Sequence, residues 1–353
     1  MITAISLVVC FIIALVMTPI IKKFAIKIGA TDQPNDRKVH QKVMARIGGL
    51  AIFIAFIAGI FIPQAHTHEF FYPILIGAFI ITLTGFLDDL FELSAKWKLL
   101  GQIAAASAVV IGGIHVEFIN LPFDMQWQLG WLSIPLTMLW IIGVTNAINL
   151  IDGLDGLAAG VSSIVLATIT IVAIIDSNVF VMALGAVMLG STLGFLVHNF
   201  NPAKIFMGDT GALFLGFMIS VISLLGFKNI TVFSLLIPAI LLAVPISDTL
   251  FAIIRRIVNK KPLSIADKSH LHHCLLNLGY SHKQTVLIIY AMSALFGIAA
   301  IVLTLSELWV TVLVVLALLT CIEIFAEKVG LVSKEYRPFM KFFTKIGDNI
   351  TRR

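Results

Sequence analysis

His198-Asn199-Phe200-Asn201-Pro202-Ala203-Lys204-Ile205-Phe206-Met207-Gly208-Asp209-Thr210-Gly211 lies between apolar runs at 179–197 and 211–227. Each run is long enough to cross a bilayer, which takes about 17–25 residues. Between them a lysine, two asparagines, a histidine and an aspartate crowd together, in a chain that is 59% hydrophobic and only 12% charged. Soluble domains carry about 25% charged residues, so the composition argues against a globular cytosolic protein. The fold class that follows is an all-α polytopic membrane protein. A polar cluster in such an oily chain implies that something polar binds there.

Outward from this hinge, apolar runs recur at 2–21, 47–63, 72–87, 99–114, 131–149, 157–175, 231–254, 285–305 and 309–326. With the two flanking runs they predict about eleven transmembrane helices. No linker or low-complexity segment divides them, so residues 1–353 read as one integral-membrane domain. The first run lacks a basic lead and a small-residue cleavage site, and reads as a retained helix. Under alternating crossings, 23 of the 24 Lys and Arg residues fall in loops on one side, and Lys228 alone on the other. The positive-inside rule then places the N-terminus outside and the C-terminus in the cytoplasm. The net charge of +5 reflects this loop bias and gives no sign of nucleic-acid binding. Cys10, Cys274 and Cys321 are far apart and form no CxxC pair, so neither a disulfide framework nor a zinc site is expected.

The basic-side loops hold the chemistry-bearing residues. Asp36-Arg37-Lys38-Val39-His40 precedes Ala45-Arg46-Ile47-Gly48-Gly49-Leu50. Asp88-Asp89 can be a solvated pair at a helix end; adjacent carboxylates can also bind Mg²⁺ or take a proton, and Lys96 and Lys98 follow closely. Asn149, Asp152 and Asp155 are spaced by three, as for neighbouring positions on a helix, with Gly153 and Gly156 leaving room for close approach. Caps and a turn account for the glycines and one aspartate, but less easily for two aspartates and two asparagines (Asn146 and Asn149) in ten residues. Asp209 can cap the following helix. A cap alone does not call for Lys204, Asn199 and Asn201 beside it, and the reading preferred is that Asp209 holds a metal ion. Phe206 is either core or a face on which a flat base stacks.

His270, His272 and His273 lack a completing cysteine or carboxylate for zinc, and phosphate or nucleotide contact beside Arg255 and Arg256 is the better reading. Asp248 lies near the inner end of an apolar span, where an acid is functional by default unless it pairs with Arg255 or Arg256. Together these residues suit a Mg²⁺-dependent reaction between an anionic soluble molecule and an anionic lipid head group, in which a metal and cations offset phosphate charge and a base frees the nucleophile.

Five motifs in order resemble the polyprenyl-phosphate N-acetylhexosamine-1-phosphate transferases. They are Ile47-Gly48-Gly49-Leu50, Asp88-Asp89, Asn146-Ala147-Ile148-Asn149 through Asp152-Gly153-Leu154-Asp155-Gly156, Asn201-Pro202-Ala203-Lys204 with Phe206-Met207-Gly208-Asp209-Thr210-Gly211, and His270-Leu271-His272-His273. The His-x-His-His form with its Asp267-Lys268-Ser269 lead-in is similar to the undecaprenyl-phosphate N-acetylglucosaminyl-1-phosphate transferase branch. The branch that uses UDP-MurNAc-pentapeptide carries three consecutive histidines and then an acid; here Leu271 interrupts the run and Cys274 follows it.

The resemblance implies transfer of GlcNAc-1-phosphate from UDP-GlcNAc to undecaprenyl phosphate in a bacterial plasma membrane, on the cytoplasmic side. This would be the first membrane step of teichoic-acid linkage unit or related envelope glycan synthesis. It implies Mg²⁺, with Mn²⁺ as a substitute, on Asp209 and Asn149. Phe206, Asp155 and Asp152 would serve the nucleoside, and Lys98 the phosphates. Asp88 and Asp89 are the candidate base, or on an older view of the family a covalent nucleophile. His270, His272, His273 and the basic Arg255 would serve the sugar-phosphate end, with Asn146 and Lys204 also at the substrate. A homodimer is left open. The alternatives are another UDP-N-acetylhexosamine or UDP-MurNAc-pentapeptide as donor within the family, or, less favoured, a secondary transporter or lipid flippase outside it. Transporters, however, place polar residues near the bilayer midplane, whereas here, Asp248 apart, the acids of these motifs sit at helix ends on the cytoplasmic side.

Overall fold

The structure, a computed structural model, describes residues 1–32, 43–120, 126–227, 236–258, 260 and 270–331. The segments at 36–40 and 267–269, and Lys228, lie outside them. The described residues run α1 (Ile2–Ile28), β1 (Thr31–Asp32), β2 (Met44–Ala45), α2 (Gly49–Gly59), α3 (Phe71–Phe91), α4 (Ala95–Ile111), β3 (Phe118–Asn120), β4 (Gln126–Gln128), α5 (Ser133–Ile151), α6 (Leu157–Ile175), α7 (Val179–Asn199), α8 (Gly208–Phe227), α9 (Leu236–Leu241), α10 (Ala243–Val258), α11 (Leu271–Asn277), α12 (His282–Thr304) and α13 (Leu308–Val329). The strands form two small antiparallel pairs, β1 with β2 and β3 with β4.

Among the described residues, eight helices are long and apolar enough to cross a membrane. The remaining predicted runs yield shorter pieces. The run at 47–63 gives only the short α2, and the run at 99–114 gives the 17-residue α4. The run at 231–254 breaks at Leu242 into α9 and α10. Pro245 explains the break, because it has no N–H to offer the carbonyl of Leu241 one turn back.

α8 is the axis of the molecule. It packs against α2, α3, α5, α6, α7 and α9, and nearly every residue from Thr210 to Phe227 is buried. Burial on all sides fits a helix apolar all round, with Gly211, Gly216 and Gly226 allowing close approach. Van der Waals packing through small residues is what remains to join helices when lipid is as apolar as the side chains. α1 and α13 lie at the rim and turn Ile5, Ile12, Val16, Leu313 and Leu316 outward, as lipid-facing helices do. Many hydroxyls inside the bundle bond along their own helices, as in Thr145 to the Ile141 carbonyl at 2.6 Å and Thr192 to the Met188 carbonyl at 2.7 Å.

Candidate active site

The polar ends of α3, α5 and α7 meet the starts of α4, α6 and α8 at one end of the bundle. Backbone bonds set the hinge there: Gly48 N–H donates to Phe206 O at 3.0 Å, Gly49 N–H to Met207 O at 2.9 Å, and Phe206 N–H to Ala45 O at 2.9 Å. A Cβ on Gly49 would stand 2.0 Å from Gly211 Cα, so only glycine lets the start of α2 lie against the first turn of α8. Gly208, at φ 70°, turns the chain into α8. The Asn201–Pro202 bond is cis.

Asp88 and Asp89 separate in role. Lys98 from α4 bridges Asp88 Oδ2 at 2.7 Å and Asp209 Oδ2 at 2.6 Å, and Asn149 Nδ2 donates to Asp209 Oδ1 at 2.7 Å. Asp89 turns the other way. It accepts Asp209 N–H at 3.0 Å, Thr210 N–H at 2.9 Å and the Thr210 hydroxyl at 2.6 Å, with Arg46 Nε 3.6 Å away. Asp89 therefore caps α8, the role the sequence offered to Asp209, and its charge meets the positive end of that helix.

The Asn149, Asp152 and Asp155 series does not stay on one helix. α5 ends at Ile151, Asp152 caps it, and residues 152–156 form a turn closed by Gly156 at φ 76°. Asn199 pins that turn, accepting Gly156 N–H at 3.1 Å and donating to Ile205 O at 2.9 Å, while the Tyr290 hydroxyl donates to Gly156 O. Asp155 Oδ2 accepts Asn201 Nδ2 and Ala203 N–H, both at 3.0 Å. Asn199 and Asn201 thus hold the hinge to the turn and have structural work of their own.

A cavity of about 490 Å³ opens between these elements, lined among others by Arg46, Asn149, Asp152, Asp155, Phe206 and Asp209. Asp32, His273 and His282 also line it. Asp88 and Lys98 adjoin it through Asp209. Burial, then the charges of Asp209, Asp89 and Asp155, pushes the Asp152 carboxyl up to about 8. The His272 ring packs against Gly153, where a Cβ would stand 2.3 Å from Nε2. Burial, with His273, His270 and His282 nearby and Asp248 opposing, pushes His272 down to about 3.

Other expected residues stand elsewhere. Asn146 exchanges hydrogen bonds with Gln102 at 2.7 and 3.2 Å. Arg255 is buried and donates to Leu331 O, away from the cavity. The Lys204 side chain is exposed, and its backbone N–H bonds His198 O at 2.8 Å. Asp248 pairs with neither arginine: it meets His270 Nδ1 at 3.0 Å and Leu271 N–H at 2.7 Å, and so anchors the start of α11. The sequence reading gave no site role to Arg46, Asp32 or His282. Arg46 stood inside a quoted motif, but no motif signal marks Asp32 or His282.

Four acidic side chains line the cavity (Asp32, Asp152, Asp155 and Asp209), with Arg46 the lining guanidinium. An anionic ligand there needs added positive charge. Among the described residues no group of three or more His, Cys, Asp or Glu side chains is disposed to hold a metal ion. Asp209 and Asn149 do stand side by side, and Mg²⁺ binds through one or two carboxylates when phosphates complete its shell. This donor set fits such an ion once the Asn149 amide presents its oxygen, an orientation set by the hydrogen-bond network.

The family model for glycosyl transferase family 4 matches residues 71–227, the stretch from α3 through α8 that builds this site. Over 97% of both chains the protein is 51% identical to the probable undecaprenyl-phosphate N-acetylglucosaminyl 1-phosphate transferase of Bacillus subtilis. The chain belongs to the polyprenyl-phosphate N-acetylhexosamine-1-phosphate transferases. As a member it is a phosphoglycosyl transferase and a multi-pass membrane protein, which sets aside the transporter and flippase alternatives. It is also 36% identical to the decaprenyl-phosphate N-acetylglucosaminephosphotransferase of Mycobacterium leprae, over 79% of this chain and 78% of that one. Identity to the phospho-N-acetylmuramoyl-pentapeptide-transferase of Halalkalibacterium halodurans is 32%, over 87% and 98%.

Proposed function

We propose that the protein transfers GlcNAc-1-phosphate from UDP-GlcNAc to undecaprenyl phosphate, releasing UMP and leaving a lipid-linked sugar pyrophosphate. The observation that carries this reading is the Lys98 bridge between Asp88 and Asp209, beside Asn149 at the wall of an acid-lined cavity. The bridge supports the reading because it joins a base candidate, a cation and a hard-ion donor pair in one cluster. Asp88 takes the proton of the lipid phosphate, and a phosphate oxygen attacks the β-phosphorus as UMP leaves. Lys98 offsets charge at the phosphates. Asp209 and Asn149 would hold Mg²⁺, or Mn²⁺ in its place, which would supply Lewis-acid stabilisation of that charge. Phe206 offers a stacking face for uracil, with Asp155 and Asp152 on the nucleoside and His272 and His273 toward the sugar phosphate.

The donor assignment draws support from the higher identity to the N-acetylglucosaminyl relative than to the pentapeptide one. In the same reading, about eleven spans sit in a bacterial plasma membrane with the N-terminus outside and the site cytoplasmic, and the product enters teichoic-acid or related envelope glycan synthesis. The test is purified protein with UDP-GlcNAc, undecaprenyl phosphate and Mg²⁺, in parallel with other UDP-N-acetylhexosamines and UDP-MurNAc-pentapeptide. UMP release with UDP-GlcNAc is expected. Turnover of only another donor overturns the assignment, and a trapped sugar-phosphate adduct on Asp88 or Asp89 overturns direct attack.

A further inference from the structure

Gln102 stands outside every motif that carries the family resemblance, and it is buried on α4 inside the bundle. A buried amide needs partners, and Gln102 finds them on the neighbouring α5. Its Nε2 donates to Asn146 Oδ1 at 3.2 Å, and its Oε1 accepts Asn146 Nδ2 at 2.7 Å. Asn146 Nδ2 also donates to Ile142 O, at 2.8 Å. A carbonyl oxygen can only accept, so this last bond fixes which end of the Asn146 amide is nitrogen, and the orientation of both side chains follows. Both Asn146 N–H groups are thereby used within the bundle, and neither Asn146 nor Gln102 lines the cavity.

Lys98 precedes Gln102 by four residues on α4, and Asn149 follows Asn146 by three on α5, so each lies one turn along the same face of its helix. Lys98 and Asn149 then grip the two oxygens of one carboxylate, Nζ to Asp209 Oδ2 at 2.6 Å and Nδ2 to Asp209 Oδ1 at 2.7 Å. These contacts close a ring that runs from Asp209 through Lys98, Gln102, Asn146 and Asn149 back to Asp209. α5 is seated on α8 independently, where a Cβ on Gly216 would stand 2.7 Å from Thr145 Cα. The amide pair ties α4 to this seated helix one turn from the point where Lys98 meets Asp209. We propose that Gln102 is a positioning residue for the transfer: paired with Asn146, it holds Lys98 and Asn149 at the spacing that Asp209 and the reacting phosphates require. The proposal rests on the reading of Lys98, Asn149 and Asp209 as the reacting centre. Asn146, expected at the substrate, acts from behind it.

The experiment measures UMP release from UDP-GlcNAc and undecaprenyl phosphate for wild type, Gln102→Leu, Gln102→Asn, Asn146→Gln and the double swap Gln102→Asn with Asn146→Gln. Leucine fills much of the same volume without hydrogen bonds. The swap exchanges the long and short amides and so keeps the span of the pair. A misplacement of about 1 Å can cost on the order of 100-fold in rate. Each single variant is expected to lose about tenfold in kcat while KM for both substrates stays within about twofold of wild type. The double swap is expected to recover most of that loss. Wild-type kcat in Gln102→Leu overturns the proposal. So does a raised donor KM at unchanged kcat, which marks a binding role. A double swap no faster than the single variants also overturns it, because fit to other neighbours then governs these positions. Should Gln102→Leu fail to fold, the amide variants and their double swap decide alone, by the same criteria. A wild-type protein that releases no UMP, or a Lys98→Ala variant as fast as wild type, overturns the reading of the centre instead, and both are measured first.

Discussion

The Asp89 carboxylate accepts the backbone N–H of Asp209 at 3.0 Å, so the second acid of the Asp88-Asp89 pair caps the helix on which Asp209 stands. Asp88, one residue earlier, faces Lys98 and Asp209 instead. Adjacent residues on a helix point about 100° apart, and α3 uses that angle to give two identical side chains different work.

This division predicts opposite phenotypes. Asp89→Ala leaves the α8 N–H groups and the Thr210 hydroxyl without their acceptor and should cost about 2–4 kcal/mol of stability. Asp88→Asn should change stability by about 1 kcal/mol or less, yet lower kcat about 100-fold or more. Thermal unfolding in detergent beside UMP release measures both. The reverse ranking would remove Asp88 as the base.

Asp209→Asn keeps the shape of the side chain but loses the charge that Lys98 and Asn149 face. The variant should insert and unfold like wild type while kcat drops by about 100-fold or more, and the Mg²⁺ concentration for half-maximal rate should rise. Near-normal activity at limiting Mg²⁺ speaks against the metal assignment.

Stability should depend on pH with two signs. The Asp152 carboxyl sits at about 8 in the fold against 3.8 ordinarily, so between those values the native state holds a proton that the unfolded state has released. Its contribution is therefore lost as pH rises toward 8. His272 sits at about 3 against 6.5, so the unfolded state binds the extra proton and stability falls as pH drops from 6.5. Above 6.5 the His272 effect is gone, while that of Asp152 persists toward 8. Asp152→Asn should flatten the decline over that window in chelator-treated protein, and an unchanged slope contradicts the assignment.

Gly49→Ala sets a methyl against the backbone of Gly211, which cannot step aside. A loss of about 1–3 kcal/mol is expected, with reduced activity as α2 pushes on the first turn of α8. Gly143→Ala, within α5 and open around its Cα, is the control, and should be neutral or gain up to about 1 kcal/mol. Equal effects at the two positions would mean that the close approach at Gly49 is not limiting.

The sequence by itself determined the membrane class, most of the spans and the family, because hydropathy and short motifs are local properties. It also named Asp88, Lys98, Asn149, Asp152, Asp155, Phe206 and Asp209, which the fold gathers at or beside one cavity. It could not read the break at Leu242, the end of α5 at Ile151, the His270 partner of Asp248 or the departure of Arg255 to Leu331. Those depend on which way each side chain points once neighbouring helices fix its rotation, and on whether a proline interrupts the ladder where packing lets it. His282 Nε2, buried without a hydrogen-bond partner among the described residues, belongs to the same class. A buried atom's want of a partner exists only when all the surrounding helices are in place.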